Sequence, residues 1–153
     1  VIVQGGCNMR YERIREEGAV VFYEVFEHGK KAAEFSYAME SHGNGSCREE
    51  FWIRRIRMEQ DYLDYTYLDA VLQFLQYKCW CSGCMSMYVQ VNSVNLMDIE
   101  HYQRYGFYVM AEQVSDSAQG ETVCNYVLKY PLPREWEEIM NTKERAFYYE
   151  RKR

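Results

Sequence analysis

Residues 51–91 constrain the fold more than any other part of the chain. Residues 51–58 read as a strand with one fault in its alternation: Ile53 points one way, Arg54 and Arg55 both point out, and Ile56 and Met58 point in again. A single extra residue at Arg54-Arg55, a β-bulge, restores the phase; the alternative is a short helix. Leu68, Val71, Leu72 and Leu75 then fall at i, i+3, i+4 and i+7, which predicts an amphipathic helix over 62–78. Met87, Val89 and Val91 alternate as a buried strand. Strand, helix and strand in that order argue for one parallel pair, because the crossover returns the chain in its original direction.

Antiparallel pieces flank this unit. Residues 19–27 are rich in Val, Phe and Tyr, His28-Gly29-Lys30 supplies a turn, and 32–39 return as the second arm of a hairpin. Residues 41–46, with Gly43 and Gly45, read as a loop, and Glu49 and Glu50 precede the bulged strand. Beyond residue 91, Asn95 and Asp98 stand as N-cap and third position of a second helix, which runs to about Tyr105 and ends at Gly106. A last hairpin pairs 108–114 with 122–130 across the polar residues 115–121. Pro131 and Pro133 stop it, and Trp136, Ile139, Met140 and Phe147 give the remaining segment one apolar helical face. The expected class is α+β, a mixed and mostly antiparallel sheet with flanking helices and an extra C-terminal helix. It divides into an N-terminal segment over 1–18, partly extraneous, a domain over 19–130 and an amphipathic helix over 131–153.

Composition narrows the function. The 153 residues suit one domain. A net charge of -5, with basic residues concentrated only in the tail Glu150-Arg151-Lys152-Arg153, argues against nucleic acid as the main partner. No apolar run is long enough to span a bilayer and no signal segment is legible, so the expected location is cytoplasmic, with no membrane partner. Fifteen Tyr suggest a cleft or interface lined by rings that carry a hydroxyl. Among the six Cys, only Cys79, Cys81 and Cys84 are grouped. Three ligands fall short of a structural zinc site unless Cys47, Cys124 or His101 joins them, so no metal is expected, and the group reads as reduced thiols at a helix end.

Asn95, Tyr102, Gly106 and Phe107 have the spacing N-x-x-x-x-x-x-Y-x-x-x-G-F directly after an alternating strand. This resembles one signature of the GNAT superfamily of N-acetyltransferases, and the element order from about 19 to 130 is similar to the GNAT core from its second strand onward. The resemblance implies a bulged strand splayed from its parallel neighbour, with the pantetheine arm of acetyl-CoA paired along the backbone of Ile56, Arg57 and Met58. It implies Asn95 as part of the site, Tyr102 as the acid that protonates the departing CoA thiolate, and a glutamate as general base. Glu50 is preferred for that role over Glu34, Glu40 and Glu49. Leu63, Asp64, Tyr65, Thr66, Tyr67 and Leu68 fall on the family's diphosphate loop and the helix start behind it. There Leu63 replaces an Arg, Asp64 and Thr66 replace Gly, and Leu68 takes the last such position.

An enzyme of this kind would transfer an acetyl group to a small-molecule or peptide amine. The family's usual first strand and two helices are not legible before residue 19. The acceptor side is then open, or is completed by the C-terminal helix, a homodimer or another protein. The alternative is a GNAT-fold binding or assembly module that has lost CoA binding.

Overall fold

The computed structural model describes residues 2–4, 9–41, 49–93, 96–116, 119–120, 122–133, 135 and 149–151. In chain order they form β1 (Ile2–Gln4), β2 (Met9–Glu17), β3 (Val20–Glu27), β4 (Lys30–Ser41), β5 (Glu49–Met58), a 3-10 turn (Gln60–Tyr62), α1 (Tyr65–Cys81), β6 (Ser86–Asn92), α2 (Leu96–Tyr105), β7 (Tyr108–Asp116), β8 (Thr122–Pro131) and β9 (Tyr149–Arg151). One sheet takes all these strands in the order β7-β8-β6-β5-β4-β3-β2-β1-β9. β5 and β6 are its parallel pair; every other neighbouring pair is antiparallel. The class is α+β, as the element order predicts.

The β3–β4 hairpin closes at His28 (φ 50°) and Gly29 (φ 79°), between the paired Glu27 and Lys30. Two successive left-handed residues match the twist of the arms, which is why this short turn suits a hairpin. Alternation along the strands then sorts the side chains. Met9, Tyr11, Tyr23, Val25, Phe35, Tyr37, Phe51 and Ile53 are buried on one face, and α1 lays Leu68, Val71, Leu72, Phe74 and Leu75 against them. Tyr11 stacks on Phe74 at 4.1 Å between ring centroids, and its hydroxyl donates to the Ala70 carbonyl at 3.1 Å. The opposite face carries charge: Lys31 bridges Glu24 and Glu34, and Arg10 and Arg15 sit over the rings of Phe26 and Phe22.

Several boundaries differ from the sequence reading. Residues 9–17 are a full strand paired with β3, and its Met9 and Tyr11 are core residues; only two apolar side chains mark it, among seven that are polar or exposed. Glu49 and Glu50 lie within β5 rather than before it, paired with Ser41 and Glu40. α1 starts three residues later than 62, because Asp64 takes extended backbone and its carboxylate accepts the Thr66 N–H, while Tyr62 closes the 3-10 turn. It ends three residues later than 78, where Gly83 turns left-handed (φ 79°). The Gly83 N–H then donates to the Trp80 carbonyl and the Cys84 N–H to the Cys79 carbonyl, a Schellman closure. The loop at 41–46 and the helix expected around Trp136, Ile139, Met140 and Phe147 fall outside the described residues, apart from Ser41, which ends β4. Residues 149–151 are strand β9 on β1.

Candidate functional site

β5 and β6 pair only at Phe51 with Met87, Trp52 with Tyr88 and Ile53 with Val89. The reason lies on the other side of β5. Its register with β4 steps from Tyr37–Ile53 to Ser36–Arg55, which leaves Arg54 as the extra residue of a bulge. A bulge bends its strand and increases the local twist. Beyond it β5 continues along β4 while β6 runs straight along β8. The two parallel strands part, and among the described residues the β5 backbone that faces β6 has no strand partner past Ile53.

The gap is a groove of about 640 Å³. Ile53, Arg54, Arg55 and Ile56 line one wall and Val89, Gln90, Val91 and Asn92 the other. Because residues from both faces of the sheet contribute, the groove cuts through it. Asp98 and Tyr102 of α2 line it from the helix side, and Glu40, Trp52 and Asn125 complete the lining.

α2 is strapped to α1 in a way that fixes Tyr102. The His101 ring stacks on Tyr65 at 4.0 Å and lies 2.7 Å from the Asp69 carboxylate through Nε2, and the Tyr105 hydroxyl donates to Gln76 Oε1 at 2.9 Å. At the end of the helix, the amides of Gly106 and Phe107 both donate to the Tyr102 carbonyl. The Phe107 ring meets the Tyr102 ring edge-on at 5.2 Å. Tyr102 is 7% exposed; burial, and secondarily the charge of Asp98, pushes its hydroxyl above the usual tyrosine range. It is therefore a neutral O–H donor at any ordinary pH.

The other residues singled out from sequence separate. Ile56 lines the groove with Tyr102, whereas Arg57 and Met58 continue β5 beyond its described lining. Glu50 is half-buried and lies outside the groove lining. Glu40 lines the groove instead and is ion-paired with Arg54. Asn95 lies outside the described residues. Glu40 follows from the β4–β5 register, a long-range pairing that no local pattern encodes.

At the start of α1, Leu63 is exposed, Tyr67 packs edge-on against Tyr62, and Leu68 belongs to the core. Asp64 holds the first turn. Its carboxyl is kept below the usual range by the Thr66 backbone N–H and then by the Thr66 hydroxyl. Asp61 is likewise lowered, by its hydrogen bond and ion pair with Lys30. Among the described residues, no group of three or more His, Cys, Asp or Glu could hold a metal ion, and no helix is long and apolar enough to cross a membrane.

The sheet, with its parallel pair parted by a bulge, has the fold of GNAT-family acetyltransferases of known structure. No protein-family model matches the sequence and no curated protein is significantly similar to it; the likeness is carried by solved structures. A Bacillus subtilis acetyltransferase in complex with CoA superposes with a TM-score of 0.65 at 10% identity, over 82% of this chain and 99% of that one. The GNAT-family acetyltransferase from Streptococcus pneumoniae gives 0.59 at 14% identity, over 77% and 70%. The ribosomal-protein-S18-alanine N-acetyltransferase from Escherichia coli gives 0.58 at 17%, over 76% and 72%.

Proposed function

We propose that the chain is a divergent acyl-CoA-dependent N-acyltransferase that moves an acetyl group from acetyl-CoA to an amine. The observation that carries this reading is the open gap between β5 and β6 with Tyr102 buried in its lining. Free backbone N–H and C=O groups on β5 suit an extended amide-bearing arm, which would add to the strand edge past Ile53. A neutral amine would attack the thioester carbonyl, the oxyanion would collapse, and the departing thiolate would take the Tyr102 proton. Either Glu50 or Glu40 would accept the proton lost by the amine; Glu40 has the better position, in the groove lining beside Arg54. The acceptor would enter from the charged face, which a second copy or another protein could complete.

The pantetheine arm would thus suit the residues present, whereas the diphosphate would meet an acidic cap at the first turn of α1. Helix N-termini attract phosphate through free amides, and here the Asp64 carboxylate already accepts the Thr66 amide. That single observation favours the second reading, a GNAT-fold binding module without CoA.

Calorimetric titration with acetyl-CoA and with desulfo-CoA separates the two, run on the wild type and on Asp64→Asn. Micromolar binding by the wild type is the expected result. Asp64→Asn keeps a capping oxygen and removes the charge, so it should tighten binding about five- to tenfold. No binding by either protein at millimolar ligand would reject the enzyme and leave the module.

A further inference from the structure

We propose that Cys79 and Cys84 are a peroxide-reactive dithiol that closes to an intramolecular disulfide. The site is separate from the groove and rests on the Schellman closure of α1. The Cys84 N–H donates to the Cys79 carbonyl at 3.1 Å. Even with every bond fully extended, the path from one Cα to the other through that hydrogen bond is no longer than about 7 Å. Bond angles shorten it into the window of about 4.4–6.8 Å that a disulfide spans.

The side chains also converge. Cys79 Sγ lies 3.6 Å from the Cys84 carbonyl and 3.5 Å from that of Ser86. Cys84 Sγ lies 3.5 Å from the Glu49 carbonyl and 3.8 Å from Met39 Sδ. The neighbouring Cys79 lowers the Cys84 thiol below its ordinary value, and Cys84 together with burial raises Cys79. Cys84 is the more accessible of the two, at 7% against 0% exposure, and with its thiol lowered rather than raised it is the one assigned the attack. Cys81 is exposed, but two residues along the helix from Cys79 it points about 200° away.

The chemistry balances with hydrogen peroxide as the oxidant. The Cys84 thiolate attacks one peroxide oxygen; an S–O bond forms, the O–O bond breaks, and the departing hydroxide takes a proton to leave as water. Cys79 then attacks the sulfenic sulfur. The S–S bond forms, the S–O bond breaks, and a second water carries off the hydroxyl with the Cys79 proton. Two thiols are oxidised and one peroxide is reduced.

The test uses the full chain with Cys7, Cys47, Cys81 and Cys124 changed to Ser, treated with stoichiometric hydrogen peroxide. Peptide mass spectrometry of the wild type runs in parallel, in case that variant folds poorly. The expected result is the loss of two hydrogens from a peptide pair joining Cys79 to Cys84, forming about tenfold or more faster in native protein than in urea. In Cys79→Ser, a sulfenic acid should accumulate on Cys84 and be trapped by dimedone. Over-oxidised Cys84 beside a free Cys79 thiol in the parent, an equal cross-linking rate in urea, or no reaction at either thiol would each overturn the proposal.

Discussion

Tyr102 is a residue ordinary for packing to which the proposed mechanism gives a chemical role, on the strength of its place in the groove lining. Its ring is held by Phe107 and its carbonyl by the Gly106 and Phe107 amides, so removing the hydroxyl alone leaves those contacts in place. Tyr102→Phe should therefore lower kcat for acetyl transfer about 100-fold or more, in the range of a lost general acid, with an unchanged urea midpoint. Equal turnover would remove Tyr102 from the mechanism. The pH dependence has a definite sign. Burial favours the neutral phenol in the fold, so its contribution to stability is full below the unfolded value of about 10 and declines as pH rises above it. Tyr102→Phe should lose less stability than the wild type in that alkaline window. The place of Tyr102 on α2 ahead of the Gly106-Phe107 turn was legible in sequence because that spacing is local. Glu40 was not, since its place beside Arg54 depends on how β4 and β5 register. Asp64 was read as a change in a phosphate loop, and its second effect, capping α1, was missed along with the true helix start.

At the scale of elements, the bulge and the exit from α2 together make the groove. The bulge was legible in the sequence because alternation is strict: in a strand, two successive arginines among apolar residues are brought back into phase by one extra residue. Gly106 was expected as a helix stop and as part of the signature that ends in Phe107. Its geometry demands more, since φ is 131° and a Cβ built there would lie 2.8 Å from Tyr130 Cε2. Tyr130 is itself packed between Tyr105 and Phe107, so the ring has little room to withdraw. Gly106→Ala should destabilise the fold by about 1–3 kcal/mol through strain and overpacking, measured by urea unfolding. The displaced Phe107 should also perturb Tyr102 and reduce turnover. Wild-type stability in this variant would mean that Tyr130 moves freely and that the α2 exit does not hold the tyrosine.

At the scale of the whole molecule, the sheet is wider than the region that carries the family resemblance. A domain boundary at 19 follows from reading β3 as the first recognisable strand, since β2 shows its partner only two core side chains. Those two are nevertheless central. Met9 and Tyr11 are fully buried, and Tyr11 joins the cluster of Tyr23, Phe35 and Phe74 that ties three strands to α1. Deleting residues 1–17 would uncover that cluster and leave β3, with Val21, Tyr23 and Val25 on its core face, as a sheet edge. Burying one large apolar side chain contributes about 1.5–3 kcal/mol, so the two losses alone amount to roughly 3–6 kcal/mol of a total that is typically about 5–15. An exposed apolar edge also invites strand pairing between copies. The truncated chain should therefore melt far below the full one or aggregate, as followed by circular dichroism and light scattering. If it instead melts cooperatively at the same temperature, α1 and the remaining strands suffice. The core would then begin at 19, and β2 would be an appendage laid along a finished domain.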